Sequence, residues 1–362
     1  MEMFELKRDT VYHHLRKEII AGRLRSGKLP RETELAKSLG VGKVTLRDSL
    51  SRLEDEGYIK RIHGKGTFVY PDGVNQSAVT IMVIHGALSG FEHPGHYIVP
   101  EIARCASENQ LKTFITTAAA INMFSESDIK TFIKSNYIFG IALVMNLFTG
   151  HEPFLLKLKA TGIPIVITHG DMHDAEVTGL PCIAVSQRAG WEDAIAYLAG
   201  LGHRRIAIIG SSEYSFRGCS LQETLQLLKK YHAVSDESLI RRSTFNQQET
   251  IETVKTLFSN SARPTAILCF SDFYAIYVYD ALKELNLRIP QDVAVMGICG
   301  YPDAPRLLTP PLSTIDYGYA KFAQMAVEML QEIEKWIDPL TGNGKLRINP
   351  YKLVKRESTE LK

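Results

Sequence analysis

Apolar positions in the first sixty residues recur at helical spacing, and then the period changes. In "TVYHHLRKEIIAGRL", Val11, Leu15, Ile19 and Ile20 share one side of a helix until Gly22 ends the pattern. "RETELAKSLG" places Leu35, Ala36 and Leu39 on a second helix with Gly40 as its C-terminal cap. "VGKVTLRDSLSRLEDEGYI" places Leu46, Leu50 and Leu53 on a third that ends at Gly57. In "YIKRIHGKGTFVY" two β-branched and aromatic runs flank a glycine-lysine-glycine tip, which predicts a tight hairpin. A phosphate-cradling nucleotide loop would need G-x-x-x-x-G-K-[ST] opening a helix, whereas Lys65 is followed by Gly66 and a strand-like Thr67-Phe68-Val69.

"YPDGVNQSA" has no periodicity and reads as a linker, after which the pattern changes again. "VTIMVIHG", "KTFITTA", "IFGIALVMN", "GIPIVITHG", "RRIAIIG", "TAILCFS" and "DVAVMGI" are short apolar runs, and "YIVPEIARCASENQ" is the first of the helical stretches between them. Buried strands alternating with helices predict an α/β fold with parallel sheets covered on both faces. In such sheets ligands bind at the carboxyl ends of the strands, so the loops after each strand are where chemistry is sought.

The two short helices joined by a tight turn form a helix-turn-helix, whose second helix opens with Lys43, Thr45 and Arg47. That helix enters the DNA major groove, and short polar and cationic side chains in its first turn reach phosphates and base edges. The hairpin that follows is then a wing: its glycine tip lets the backbone lie close to DNA while His63 and Lys65 reach the adjacent groove or phosphates. Charge agrees with this placement. The chain carries a net +2 over 362 residues, yet residues 1 to 70 hold 15 Lys/Arg against 10 Asp/Glu and the other 292 hold 27 against 30. The basic front end points to an anionic partner.

Residues 10 to 70 resemble the GntR family of winged-helix regulators, through "GKLPRETELAKSLGVGKVTLRDSLSRLEDEGYIKRIHGKGTFV". The resemblance implies DNA contacts at Arg31, Thr33, Lys43, Thr45, Arg47, His63, Gly64, Lys65 and Gly66. Arg31 stands where the family usually has serine, so the capping box with Glu34 is expected to be lost. Lys43 stands where arginine is frequent, and lysine lacks the bidentate fork that reads guanine.

Residues 79 to 360 resemble the LacI/GalR family and its type I periplasmic-binding-protein fold. The likeness is loose over the first hundred and tight from 191, through "WEDAIAYLAGLGHRRIAIIG", "ARPTAILCFSDFYAIYVYDALKELNLRIPQDVAVMGI", "PPLSTIDYGYAKFAQMAVEML" and "LVKRES". The expected organisation is a winged-helix domain over 1–70, a linker over 71–78 and a sensor over 79–362. The resemblance implies two lobes crossed by three strands, lobe one at about 79–201 and 305–335 and lobe two at about 203–300 and 336–360. A ligand between the lobes would close them and alter the spacing of the paired DNA heads in a dimer.

The positions that the resemblance assigns to ligand are altered. The arginine of the R-x-x-G-[FY] motif falls on Ser215, with Arg217 close by. The aspartate of G-[FY]-D-D falls on Gly300, and the asparagine before Asp272 is Ser271. Local replacements are Tyr301 and Asp303 on the same loop, His169 and Asp171 after "PIVIT", and His85, Glu92, His96 and Tyr97 in the first loop of lobe one. Ser271 and Asp272 remain ligand candidates, although Asp272 is expected first to cap the helix that it opens, and Trp191 to pack rather than bind sugar.

These features predict a cytoplasmic, homodimeric transcription factor, a repressor of carbohydrate-utilisation genes, that binds a near-palindromic double-stranded operator and a small effector, a sugar or sugar derivative. No cofactor, metal or membrane partner is expected, and no catalytic residue. Cys105, Cys182, Cys219, Cys269 and Cys299 have no C-x-x-C spacing, His13-His14 is too small a cluster for a metal, and no nucleophile elbow or paired-carboxylate motif is present. No apolar run approaches the ~20 residues of a membrane helix. Two alternatives stay open: a constitutive DNA binder whose degenerate sensor serves dimerisation, and a sugar-metabolism enzyme.

Overall fold

The computed structural model describes residues 2–20, 24, 29–62, 66–69, 79–86, 93–210, 219–242, 245–259 and 261–360. The chain begins with α1 (Glu2–Ile20), α2 (Glu32–Ser38), α3 (Lys43–Asp55), β1 (Ile59–Ile62) and β2 (Gly66–Val69). α1 starts nine residues before Val11, where the apolar periodicity begins, and Gly22 lies outside the described residues. The apolar stripes meet as expected: Val11, Leu15, Leu35, Ala36, Leu46, Leu50, Leu53, Ile59 and Val69 form one buried core. The turn between α2 and α3 is set by Gly40 at φ +64°, where the Val41 N–H bonds the Ala36 carbonyl at 3.0 Å and closes the helix end. β1 and β2 pair antiparallel, Ile62 opposite Gly66. The linker lies outside the described residues.

The next elements are β3 (Thr80–His85), α4 (Gly95–Glu108), β4 (Lys112–Thr117), α5 (Ala118–Asn122), α6 (Glu126–Ser135), β5 (Ile138–Val144), α7 (Pro153–Lys159), β6 (Ile165–Gly170), α8 (Met172–Thr178) and β7 (Cys182–Val185). Then come α9 (Gln187–Gly200), β8 (Ile206–Ile209), α10 (Leu221–Lys230), β9 (Ile240–Arg241), α11 (Gln247–Phe258), β10 (Ala266–Cys269), α12 (Asp272–Glu284), β11 (Ala294–Cys299), α13 (Ala304–Leu307) and β12 (Ser313–Asp316). The chain ends with α14 (Tyr319–Gln331), β13 (Leu346–Asn349) and β14 (Lys352–Val354).

Two compact units result: residues 1–184 with 320–347, which include the winged-helix head, and residues 185–319 with 348–362. The first holds a sheet ordered β13-β7-β6-β5-β3-β4, in which β3 pairs parallel with β4 and β5, β5 with β6, and β6 with β7. Its inner strands β3, β5 and β6 are apolar because both faces are covered, whereas the edge strand β4 is polar and largely exposed. Met82, Ile84, Ile141 and Leu143 pack on Ile129 and Ile133 of α6 and on Leu155 and Leu158 of α7. The second holds a sheet ordered β14-β12-β11-β10-β8-β9, parallel except for β14. Ile209, Ile267 and Val295 pack there on Val254 of α11 and Val278 of α12.

The chain changes unit three times, after residues 184, 319 and 347. These points differ from the lobe boundaries expected from sequence. The α9 helix belongs to the second unit, as does β12, which pairs with β11. Residues 336–347 belong to the first, where β13 lies beside β7. Strand partners decide membership, and a single strand's apolar run does not name its partner.

Candidate DNA-binding face and effector-binding residues

α3 separates its two sides cleanly. Leu46, Leu50 and Leu53 are at most 1% exposed, while Lys43, Val44, Arg47 and Asp48 face solvent. Thr45 is only 3% exposed, so its side chain belongs to the inner side and is not presented for contact. Arg47 Nε donates to Glu32 Oε2 at 2.7 Å while staying largely exposed, which brings the start of α3 against the start of α2. Arg31 and exposed Thr33 stand at that same start. Half of the expected missing capping box is present: Glu34 Oε2 accepts the Arg31 backbone N–H at 3.3 Å. The reciprocal bond cannot form, because a guanidinium has no acceptor. Gly66 opens β2 at φ +114° and is exposed, whereas His63, Gly64 and Lys65 lie outside the described residues.

The carboxyl ends of the strands in the first unit gather histidines. His85 closes β3, its Nδ1–H donating to the Gly86 carbonyl at 2.7 Å. His96 is exposed and Tyr97 half-buried in the first turn of α4. Just before them His93 Nδ1 accepts the Gly95 N–H at 3.0 Å. Burial lowers the His93 pKa, and the nearby His96 and His85 lower it further. Sequence reasoning passed over His93; its place three residues before His96 in the same first loop was the available signal. His169 is the last residue but one of β6, with its ring edge against Phe322, centroids 5.3 Å apart. Burial, then His93, pushes its pKa down to about 4 against the opposing pull of Asp171, so the ring is neutral at ordinary pH. Asp171 is a helix cap, accepting the Asp174 N–H at 2.8 Å at the start of α8. Asp174, which sequence reasoning also missed, is fully buried and accepts the Phe148 N–H at 2.8 Å. Glu92 lies outside the described residues.

In the second unit Ser271 and Asp272 are both engaged by the backbone. Ser271, rather than Asp272, is the N-cap of α12, accepting the Phe273 N–H at 3.3 Å. Asp272 is fully buried and accepts the Tyr301 N–H at 2.8 Å and the Thr314 hydroxyl at 2.6 Å. Burial raises its pKa to about 7 in spite of those bonds. Tyr301 is 3% exposed between the rings of Phe273, 4.7 Å away, and Tyr319, 5.2 Å away. Trp191 is buried and tilted against Phe270. Gly300 has φ +65°, and a Cβ there would lie 2.3 Å from Asp316 Cα and 2.7 Å from Asp316 Oδ1. No side chain fits at 300; the carboxylate beside it comes from β12, where Asp316 pairs with Cys299 and accepts the Gly318 N–H at 2.7 Å. Asp303 is exposed and its side chain makes no cap bond. Ser215 and Arg217 lie outside the described residues.

Among the described residues no group of three His, Cys, Asp or Glu could hold a metal ion, and no helix is long and apolar enough to cross a membrane. All five cysteines are free, four of them buried.

Residues 7–69 match the family described as bacterial regulatory proteins, gntR family, and residues 195–359 match the periplasmic binding protein-like domain. The chain is 37% identical over 242 residues to the ribose operon repressor of Haemophilus influenzae, across 66% of this chain and 70% of that one. It is 24% identical over 360 residues to the arabinose metabolism transcriptional repressor of Geobacillus stearothermophilus, across 95% of each. A LacI-family transcriptional regulator from Rhizobium etli superposes with a TM-score of 0.64 at 23% identity, over 78% of this chain and 100% of that one. The chain belongs to the bacterial transcriptional regulators that join a GntR-type winged-helix head to a LacI-type, periplasmic-binding-protein-like sensor.

Proposed function

We propose that this protein is a repressor that binds a near-palindromic operator as a homodimer and answers to a small carbohydrate or carbohydrate derivative. The observation that carries the DNA half is the outer face of α3, where Lys43 and Arg47 stand exposed on a helix anchored by a buried leucine stripe. Those cations supply phosphate and base-edge contacts, with Arg31 and Thr33 beside them. Arg47 exchanges Glu32 for DNA on binding, which is favourable because an exposed ion pair contributes little. Selection from random DNA by the purified protein should enrich an inverted repeat; enrichment of no sequence defeats the reading.

The carbohydrate half rests on relatives whose names tie them to ribose and arabinose genes, and on His85, His96, Tyr97 and Asp303, which are not fully buried at strand or helix starts and ends. Hydroxyl-rich ligands suit such mixed donors and acceptors. This reading seats the second copy on the edge strand β4, where Phe114 and Ile115 are 38% and 45% exposed, since an open edge with exposed apolar side chains favours pairing.

A second reading, a constitutive DNA binder with a sensor reduced to dimerisation, is favoured by the structural employment of Asp171, Ser271, Asp272 and Tyr301. Thermal melting across pentoses, hexoses, deoxyhexoses and their phosphates separates the two. A saturable rise in Tm supports the effector-responsive reading by mass action. No rise with any of them supports the second.

A further inference from the structure

The head and the first lobe share one compact unit, and their contact is centred on a cation. Arg16 of α1 is 6% exposed. Its Nε donates to Tyr58 Oη at 3.1 Å and lies 4.0 Å from the Glu56 carboxylate, both within the head. Its Nη1 donates to the Phe139 carbonyl of the first lobe at 3.1 Å. The guanidinium stands 5.3 Å from the centre of the Tyr58 ring and 5.7 Å from that of Phe139. Beside it, Lys17 reaches Glu332 at 3.3 Å and Glu334 at 3.6 Å, just beyond α14.

The sheet presents this acceptor through an irregularity. β3 and β5 pair Thr80 with Ile138 and then Ile81 with Gly140, so Phe139 is passed over. A bulged residue has peptide groups that the ladder does not use, and Arg16 takes the carbonyl. Gly140 follows because a Cβ there would lie 2.8 Å from Leu330 Cδ2, which brings α14, and with it Glu332, against the same place.

A buried guanidinium must be satisfied on every side, and here its partners come from two bodies. A cavity of about 620 Å³ lies alongside, lined in part by His13, Arg16, Lys17, Glu328 and Trp336, so water can replace the Phe139 carbonyl if the head lifts. The contact can therefore open without orphaning the charge. Docking leaves Lys43 and Arg47 exposed. Phe139 lies at the start of β5, after Ile138, while His85 closes neighbouring β3, so head and histidine cluster occupy opposite ends of one sheet.

We propose that Arg16 and Lys17 form a releasable latch that holds the DNA-binding head in a set orientation on the first lobe, so that the sensor acts on DNA by orienting a docked head rather than tethering a free one. The contact stands independently of the proposed function; its consequence for DNA rests on that reading.

Hydrogen exchange on the full chain tests the contact. Arg16→Met and Lys17→Glu are each expected to speed exchange in α1 and at residues 138–140, the swap Lys17→Glu/Glu332→Lys to restore it in part, because Glu334 and Lys335 keep their charges, and α11 and α12 to stay unchanged. Unaltered exchange in both single variants, or no recovery in the swap, overturns the latch. If Arg16→Met unfolds the head, the surface pair Lys17 and Glu332 decides. DNA binding tests the consequence. Single half-site affinity should stay within about twofold, while discrimination between operators whose half-sites differ by about five base pairs, half a helical turn, falls at least about tenfold. Undiminished discrimination overturns the orienting role. Failure of the unaltered protein to bind any operator overturns the functional reading and leaves the exchange result in place.

Discussion

In the head, Lys43 and Arg47 stand outside a helix whose inner leucines are shut away from water, whereas at the strand ends of the second unit Ser271 and Asp272 already accept bonds from neighbouring groups. The same residue types therefore mean different things in the two places. On an amphipathic helix the period of 3.6 sorts inside from outside, and a cation on the polar side stays exposed even where, like Arg47, it has an ion-pair partner. After a buried strand the chain must turn, its N–H groups need acceptors, and a polar side chain there is often consumed by the backbone.

The largest effect should come from forcing a ligand-type residue into the sensor. Gly300→Asp restores the aspartate that the family resemblance implies, but at φ +65° and against Asp316 it should cost the second unit about 3 kcal/mol, read by urea denaturation. Stability equal to the parent protein would mean the loop can move and that 300 is an open position after all.

Arg47→Ala tests the other side of the comparison. Operator affinity should fall about 10- to 100-fold in titrations, with the melting temperature almost unmoved, because its ion pair with Glu32 is exposed. Unchanged affinity would remove α3 from the DNA face.

The two units should also answer oppositely to acid. Asp272, raised from 3.8 to about 7, supports the folded state fully below its unfolded pKa and loses that contribution as pH rises through about 7. His169, lowered from 6.5 to about 4, contributes fully above 6.5 and loses it as pH falls through 4. Between pH 7.5 and 5 the second unit should gain, and the first lose, of order 1 kcal/mol in opening free energies from hydrogen exchange. Asp272→Asn should flatten the trend of the second unit alone; parallel trends in both units would break the contrast.

The smallest effect is local. Arg31→Ser supplies the missing half of the capping box with Glu34 and should stabilise the head by about 0.5 to 1 kcal/mol in thermal melts. No gain would mean that Arg31 is already compensated.

Most of the fold was legible. The three helices of the head, the hairpin and the α/β alternation follow from patterns that repeat over a few residues, and so do Gly40 and the outward Lys43 and Arg47. Thr45 was misplaced because one polar residue at the start of a helix is small enough to turn inward. The sensor residues were harder. Asp171 and Tyr301 sit where a ligand residue would sit, and only the positions of Asp174, Phe273 and Tyr319 reveal how each is employed.

By itself the sequence determined the elements, the order of head and sensor, the outward cations of the third helix and the family resemblance, since helix period, apolar strand runs and glycine turns are local properties of the chain. The tertiary structure alone decided which strands pair, and so where the chain changes unit. It alone brought Arg16 to the carbonyl of Phe139, 123 residues away, put Asp316 where Gly300 leaves room, and buried Asp272 under Tyr301 and Thr314. Those outcomes depend on hydrogen-bond partners and packing distances between residues far apart in the chain, which no local pattern encodes.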